Sequence, residues 1–197
     1  MLLVCTLLSI ANNYAQNKSG LLIGGGIGFE NTSLNPRSNN FIKGIKSERY
    51  NNFNAQIGYR FRLETGNDNK LFFDIDPMLK AQFLKTKDVN PNASGYSSPK
   101  SVEAHDINLQ FAISPSINYR ITDRFFVGAG IEPTYNIVTD GKRFDFPVLG
   151  KVGYSFNTFE LAISYRQGFM NVLDKTNLKK GMTSDLSISV FIPFFSK

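Results

Sequence analysis

Leu186-Ser187-Ile188-Ser189-Val190-Phe191-Ile192-Pro193-Phe194 is the stretch that decides the fold. Leu186, Ile188, Val190, Ile192 and Phe194 share one parity, and Ser187, Ser189 and Phe191 fall between them. Just upstream, Phe159, Leu161, Ile163 and Tyr165 alternate with Glu160, Ala162, Ser164 and Arg166. A period of two over such a length marks β-strands with one apolar and one wet face. Working outward, the same alternation recurs in eight segments: 19–31, 50–63, 70–85, 106–120, 124–137, 144–156, 159–170 and 184–194. The second sets Phe53, Ala55, Ile57, Tyr59 and Phe61 against Asn54, Gln56, Gly58, Arg60 and Arg62. Each segment is long enough for a tilted strand to cross the hydrocarbon core of a bilayer, which takes about 9–11 residues.

The connections alternate in length. Long polar loops follow segments one, three and seven (32–49, 86–105 and 171–183), and a shorter polar one, near Thr139-Asp140-Gly141-Lys142-Arg143, follows segment five. Tight turns follow segments two, four and six, at 65–69, Thr122-Asp123 and Asn157-Thr158. Long loops at one end and short turns at the other are the habit of outer-membrane barrels. The reading is therefore all-β: an eight-stranded antiparallel up-and-down transmembrane β-barrel of outer-membrane type, apolar outside and polar inside. Both termini then lie on the periplasmic side, and the long loops lie outside the cell.

Aromatic residues agree with this. The chain has 18 Phe and 8 Tyr among 197 residues. On the apolar parity, Tyr59, Phe61, Phe73, Tyr119, Phe125, Tyr154, Phe156, Phe159 and Phe194 fall near the turn end. Phe29, Phe53, Phe83, Tyr135, Phe146, Tyr165 and Phe169 fall near the loop end. Two such belts are what anchoring at both membrane interfaces requires. A soluble lipocalin-like barrel would turn the apolar parity inward and has no use for belts.

No run of 18 apolar residues exists, which excludes a transmembrane helix. The short apolar start, Met1 to Ala11, followed by Asn13-Tyr14-Ala15-Gln16, reads as a signal peptide over 1–15, with the barrel domain over 16–197. The single cysteine, Cys5, falls in that leader, so the mature chain offers no thiol chemistry. The formal charge of +6 is scattered rather than gathered on one face, which argues against a nucleic-acid partner. The loop cations Arg37, Lys43, Lys46, Arg49, Lys142, Arg143, Lys175, Lys179 and Lys180 suit an anionic outer leaflet of lipopolysaccharide.

The wet parity carries Glu30, Asp74, Asp76, Glu132 and Glu160 together with Arg60, Arg62, Lys80, Lys151 and Arg166. Acids and bases balance, and buried charges need partners. Eight strands leave an interior just wide enough for side chains to fill. The expectation is a plug of salt bridges rather than a channel, with Arg60 beside Asp74. Inward glycines (24, 26, 28, 58, 128, 130 and 153) would make room for the long Arg and Lys chains.

Other motifs carry less. Gly24-Gly25-Gly26-Ile27-Gly28 resembles a phosphate loop, but no helix pattern or Lys-Ser/Thr follows it. His105 is the only histidine, and a Ser–His–acid hydrolase would need Ser101 or Ser116 at its side. Zinc is not expected from one histidine and no mature cysteine. Asp88, Glu103, Asp106, Asp140 and Asp174 lack the spacing of a calcium loop. No catalytic residue, cofactor or metal is expected.

Ala15-Gln16, the stretch Leu22-Ile23-Gly24-Gly25-Gly26-Ile27-Gly28-Phe29 and the hairpin from Ile117 through Thr122-Asp123 to Gly130 resemble the PorT-like group, small outer-membrane β-barrel proteins of Bacteroidetes. The resemblance implies the same barrel in a Gram-negative outer membrane, no shared catalytic residues, and a possible link to type IX secretion through the group's founding member. One departure is the ending, where Phe194-Phe195 is followed by Ser196-Lys197 instead of a terminal aromatic. The expected role is a non-enzymatic structural or interaction protein. Its partners would be outer-membrane lipids, lipopolysaccharide or other envelope and secretion proteins. The alternatives are a secretion accessory and a narrow solute pore.

Overall fold

A computed structural model describes residues 16–29, 33–34, 46–65, 70–89, 101–137, 143–169, 178–180 and 184–195. The proposed leader, Glu30, Cys5 and most of the long loops lie outside these residues.

Eight strands form the wall. They are β1 (Gln16–Gly28), β2 (Lys46–Thr65), β3 (Leu71–Val89), β4 (Ser101–Arg120), β5 (Phe125–Ile131 and Thr134–Asn136), β6 (Phe144–Asp145 and Val148–Ser155), β7 (Glu160–Gln167) and β8 (Ser184–Phe195). Each pairs antiparallel with its sequence neighbours. β1 pairs with β8, from Ser19↔Phe195 to Gly28↔Asp185, so the sheet closes without an edge. A short pairing of Ser33–Leu34 with Leu178–Lys180 stands apart from the barrel sheet.

Parity settles which face is which. Ile57, Leu79 and Ile117 point outward and are more than half exposed, whereas Asn54, Arg62 and Glu132 are fully buried. Inverting the usual arrangement is stable only where the outer surroundings are themselves apolar. The lipocalin-like alternative, with its apolar face inward, is not the arrangement found. The outward aromatics pair at both ends of the wall: Tyr59 with Phe61 and Phe194, and Tyr154 and Phe159 with Phe156, toward the turns; Phe53 with Phe83, and Tyr135 with Phe144, toward the loops.

The turns close tightly. Thr122 Oγ1 accepts from the Phe125 amide at 3.0 Å, and the Phe156 amide donates to the Phe159 carbonyl at 2.8 Å. Prolines inside strands interrupt the ladder locally, because proline has no N–H to donate. The β2–β3 ladder lacks the Tyr59 and Arg60 rungs opposite Pro77. β5 breaks at Glu132-Pro133 and β6 at Phe146-Pro147, and Pro133 and Pro147 instead accept from the Ile113 and Glu132 amides at 3.0 and 2.8 Å.

The long connections are shorter than the alternation suggests. Residues 86–89 and 101–105, read as loop, are paired strand from Thr86↔Ala104 to Val89↔Ser101. Residues 46–49 extend β2 in the same way, up to Lys46↔Val89. Above the hydrocarbon the outward face no longer has to be apolar, so the periodic signal fades while backbone pairing continues.

Candidate functional site: the filled lumen

Inward side chains stack in layers that follow their order along the strands. Nearest the turns, Glu64 accepts from Arg120 at 2.5 Å and from Lys18 at 3.3 Å. Phe72 and Phe126 meet edge-on beside them, with ring centroids 5.4 Å apart. The Arg120 and Arg62 guanidinium carbons lie 4.5 and 4.2 Å from the Phe72 centroid.

The next layer holds three cations and three carboxylates. Arg62 grips Asp74 with Nε–Oδ1 at 2.7 Å and Nη2–Oδ2 at 3.1 Å, and reaches Glu160 at 2.5 Å. Arg60 grips Asp76 in the same forked manner, at 2.8 and 2.7 Å. Lys151 Nζ donates to Asp74 Oδ2 at 2.8 Å. Forked guanidinium–carboxylate pairs satisfy several donors at once, which lets the charges stay buried.

Leu22, Met78, Ala112 and Phe191 form an apolar layer above this. Beyond it lies a second charge-balanced set. Lys80 donates to Glu132 at 2.6 Å and lies 3.6 Å from Asp185. Arg166 bonds Glu132, Asp185 at 2.9 Å, Ser187 at 2.5 Å and Gln56 at 3.2 Å. Carboxamides follow toward the loops: Gln82, Asn108, Gln110 and Asn136.

Of the ten charged residues read from the wet parity, nine are inward, buried and ion-paired: Arg60, Arg62, Asp74, Asp76, Lys80, Glu132, Lys151, Glu160 and Arg166. Glu30 lies outside the described residues. The pairing differs by one step from the one expected: Arg62, not Arg60, stands across from Asp74, and Arg60 approaches Asp74 only at 3.5 Å. Strand register decides this, and alternation cannot set register by itself.

The glycines also serve a different neighbour. A Cβ on Gly153 would sit 2.2 Å from the Phe126 ring, and one on Gly128 would sit 2.0 Å from Asn118 Oδ1. They make room for neutral side chains and strand backbone rather than for Arg or Lys. Glu64, Arg120, Lys18 and Asp185 belong to the networks and were not singled out, although extending the parity one residue past the apolar runs reaches all but Lys18. Inward Phe72 and Phe126 are harder to read, since each adjoins an outward Phe.

The hydrolase arrangement does not assemble. His105 and Ser116 lie on the same strand, about 36 Å apart along it at ~3.3 Å per residue, and Ser101 is about 13 Å away. Among the described residues no three metal-ligating side chains gather. Asp88, Glu103 and Asp106 have described backbone only, and Asp140 and Asp174 lie outside the described residues. The Gly24–Gly28 run is strand, paired with β8 throughout and with β2 as far as Gly26, not a loop at a helix start.

No protein-family model and no curated protein matches the sequence. Two solved structures are similar to different degrees. The outer membrane protein OprG from Pseudomonas aeruginosa is similar over 90% of this chain and 91% of its own, at 12% identity and a TM-score of 0.50. The NanC porin aligns over 87% of this chain and 98% of its own, at 10% identity and a TM-score of 0.33. The closed eight-stranded antiparallel wall, together with the likeness to OprG, shows the fold of an outer-membrane barrel.

Proposed function

We propose that this chain is an integral protein of a Gram-negative outer membrane, made with a signal peptide over 1–15 and inserted as a barrel over 16–197. Its lumen is a structural plug, and its function is non-enzymatic: the barrel presents its long connections outside the cell, to lipopolysaccharide or another envelope protein. One observation carries this reading. The outward face is apolar with an aromatic belt at each end, while the inward face is filled by two charge-balanced ion networks held apart by an apolar layer. A selective pore would more naturally show an excess of one charge at a constriction.

The test is electrophoresis of detergent-purified protein with and without boiling, alongside planar-bilayer recording. A heat-modifiable band with no conductance supports the reading. A protein soluble without detergent, or one giving regular ion steps, overturns it.

A role as a secretion accessory rests on the PorT-like resemblance of Ala15-Gln16, 22–29 and 117–130 alone. Deleting the gene would then block protein export, whereas the structural role predicts only envelope sensitivity.

A further inference from the structure

We propose that the β5–β6 pair holds the barrel at a fixed depth through two sites for membrane-lipid phosphate, one at each edge of the hydrocarbon. This inference rests on the outer-membrane reading above.

Each site is an arginine clasped to a tyrosine of the facing strand. At the turn end, Arg124 Nη1 donates to Tyr154 Oη at 3.4 Å. At the loop end, Arg143 Nη1 donates to Tyr135 Oη at 3.3 Å. The two are copies of one arrangement, related by the local two-fold symmetry of an antiparallel pair. In both, the arginine stands one residue before a strand that opens on an outward phenylalanine, Phe125 or Phe144, and that phenylalanine is directly across from the tyrosine. In both, the arginine carbonyl accepts at 2.7 Å from the amide just after the tyrosine, Ser155 or Asn136. The sequence shows the repeat as Arg-Phe at 124–125 and again at 143–144.

Chemistry and setting define the ligand. Both arginines are exposed, and among the described residues neither enters a salt bridge, so most of each five-donor planar fork is open to an oxyanion such as phosphate. The tyrosine hydroxyl accepts from the arginine and has its own proton to donate to the same oxyanion. Exposed rings adjoin each clasp: Tyr154 packs against Phe156 with centroids 4.8 Å apart, and Tyr135 against Phe144 at 5.1 Å. Acyl chains would cover these rings, whereas a free anion would leave them bare in water. The spacing of the sites agrees. Ten residues separate Phe125 from Tyr135 along β5, about 33 Å at ~3.3 Å per residue. A strand tilt of about 40° reduces this to about 25 Å of height, the height of the apolar band of an outer-membrane barrel.

The test uses the full barrel in dodecyl maltoside micelles, titrated with phosphatidylglycerol and read by native mass spectrometry. Two lipids should be retained. Arg124→Leu and Arg143→Leu, each shown folded by its heat-modifiable band, should each weaken one site at least about tenfold, and the double variant both. Tyr154→Phe and Tyr135→Phe keep ring and arginine but lose the clasp, and each should weaken its own site by a smaller factor. Diacylglycerol, which has the chains without the phosphate, and inorganic phosphate, which has no chains, should not be retained at the same concentrations. Equal retention in the double variant, equal retention of either control, or loss at only one of the two arginines would overturn the proposal. A heat-modifiable barrel that retains no lipid overturns this inference alone. A protein soluble without detergent overturns the membrane reading and this inference with it.

Discussion

Arg62 and Asp74 face each other across the β2–β3 pair and join through two parallel N–H···O contacts, while Lys151 approaches Asp74 from β6. This one carboxylate ties together strands that lie far apart around the wall. Asp74→Ala would leave Arg62 and Lys151 buried without their main acceptor. Unfolding in micelles should show a loss of about 3–5 kcal/mol, the range for stripping one partner from a buried ion pair. Asp76→Ala, which removes a carboxylate bridging mainly to Arg60, should cost less. Equal losses would mean that the network is not centred on Asp74.

Gly153 and Gly150 lie three residues apart on β6, and only the first should be sensitive to an added methyl group. A Cβ at Gly153 would enter the Phe126 ring, so Gly153→Ala should destabilise by about 1–3 kcal/mol. At Gly150, on the outward face, a Cβ would have nothing within 4 Å, and Gly150→Ala should change stability by no more than about 0.5 kcal/mol. Denaturant titration of both variants is a direct check. Phe126→Leu should relieve part of the Gly153→Ala effect, since the two positions are coupled by contact.

Ile57 lies outward at mid-height, between the Phe53 and Phe61 levels of β2, and pairs with Ile23 and Leu79 on its neighbours. Ile57→Arg should lower folding stability in phospholipid vesicles by about 2–4 kcal/mol, the cost of a cation at the bilayer midplane. The same change at Ile121, exposed in the β4–β5 turn, should be close to neutral. Similar effects at both sites would argue against a membrane around the barrel.

The layer of Arg62, Phe72 and Phe126 closes the turn side of the lumen. A triple variant, Arg62→Ser with Phe72→Ala and Phe126→Ala, should show ion steps in planar bilayers where the wild type is silent. A silent triple variant that retains a heat-modifiable band would place the seal elsewhere, most directly in the Lys80–Glu132–Arg166 set.

Period-two alternation, read through residues such as Ile188 and Ser189, was enough for the strand count, the polarity of each face and the charges that turn inward. These are local properties, because each side chain's direction follows from its position along one strand. The exact partners were not legible. Asp74 meets Arg62 rather than Arg60 because of pairing register, and register depends on two strands at once. Phe72 and Phe126 escaped for a related reason: in Phe72-Phe73 and Phe125-Phe126 either ring suits the lipid, and only closure of the barrel shows which one turns inward.

Sequence alone therefore determined that this chain is an eight-stranded barrel with an apolar exterior and a charged interior, because alternation is imposed residue by residue. The tertiary structure decided how that interior is sealed: two neutral ion networks separated by Leu22, Met78, Ala112 and Phe191, and a carboxamide cluster with Asn54 unpaired. The ion networks and the apolar layer draw on strands far apart in sequence and meet only when β1 and β8 close the wall. Burial then requires each charge to find its partner across the lumen.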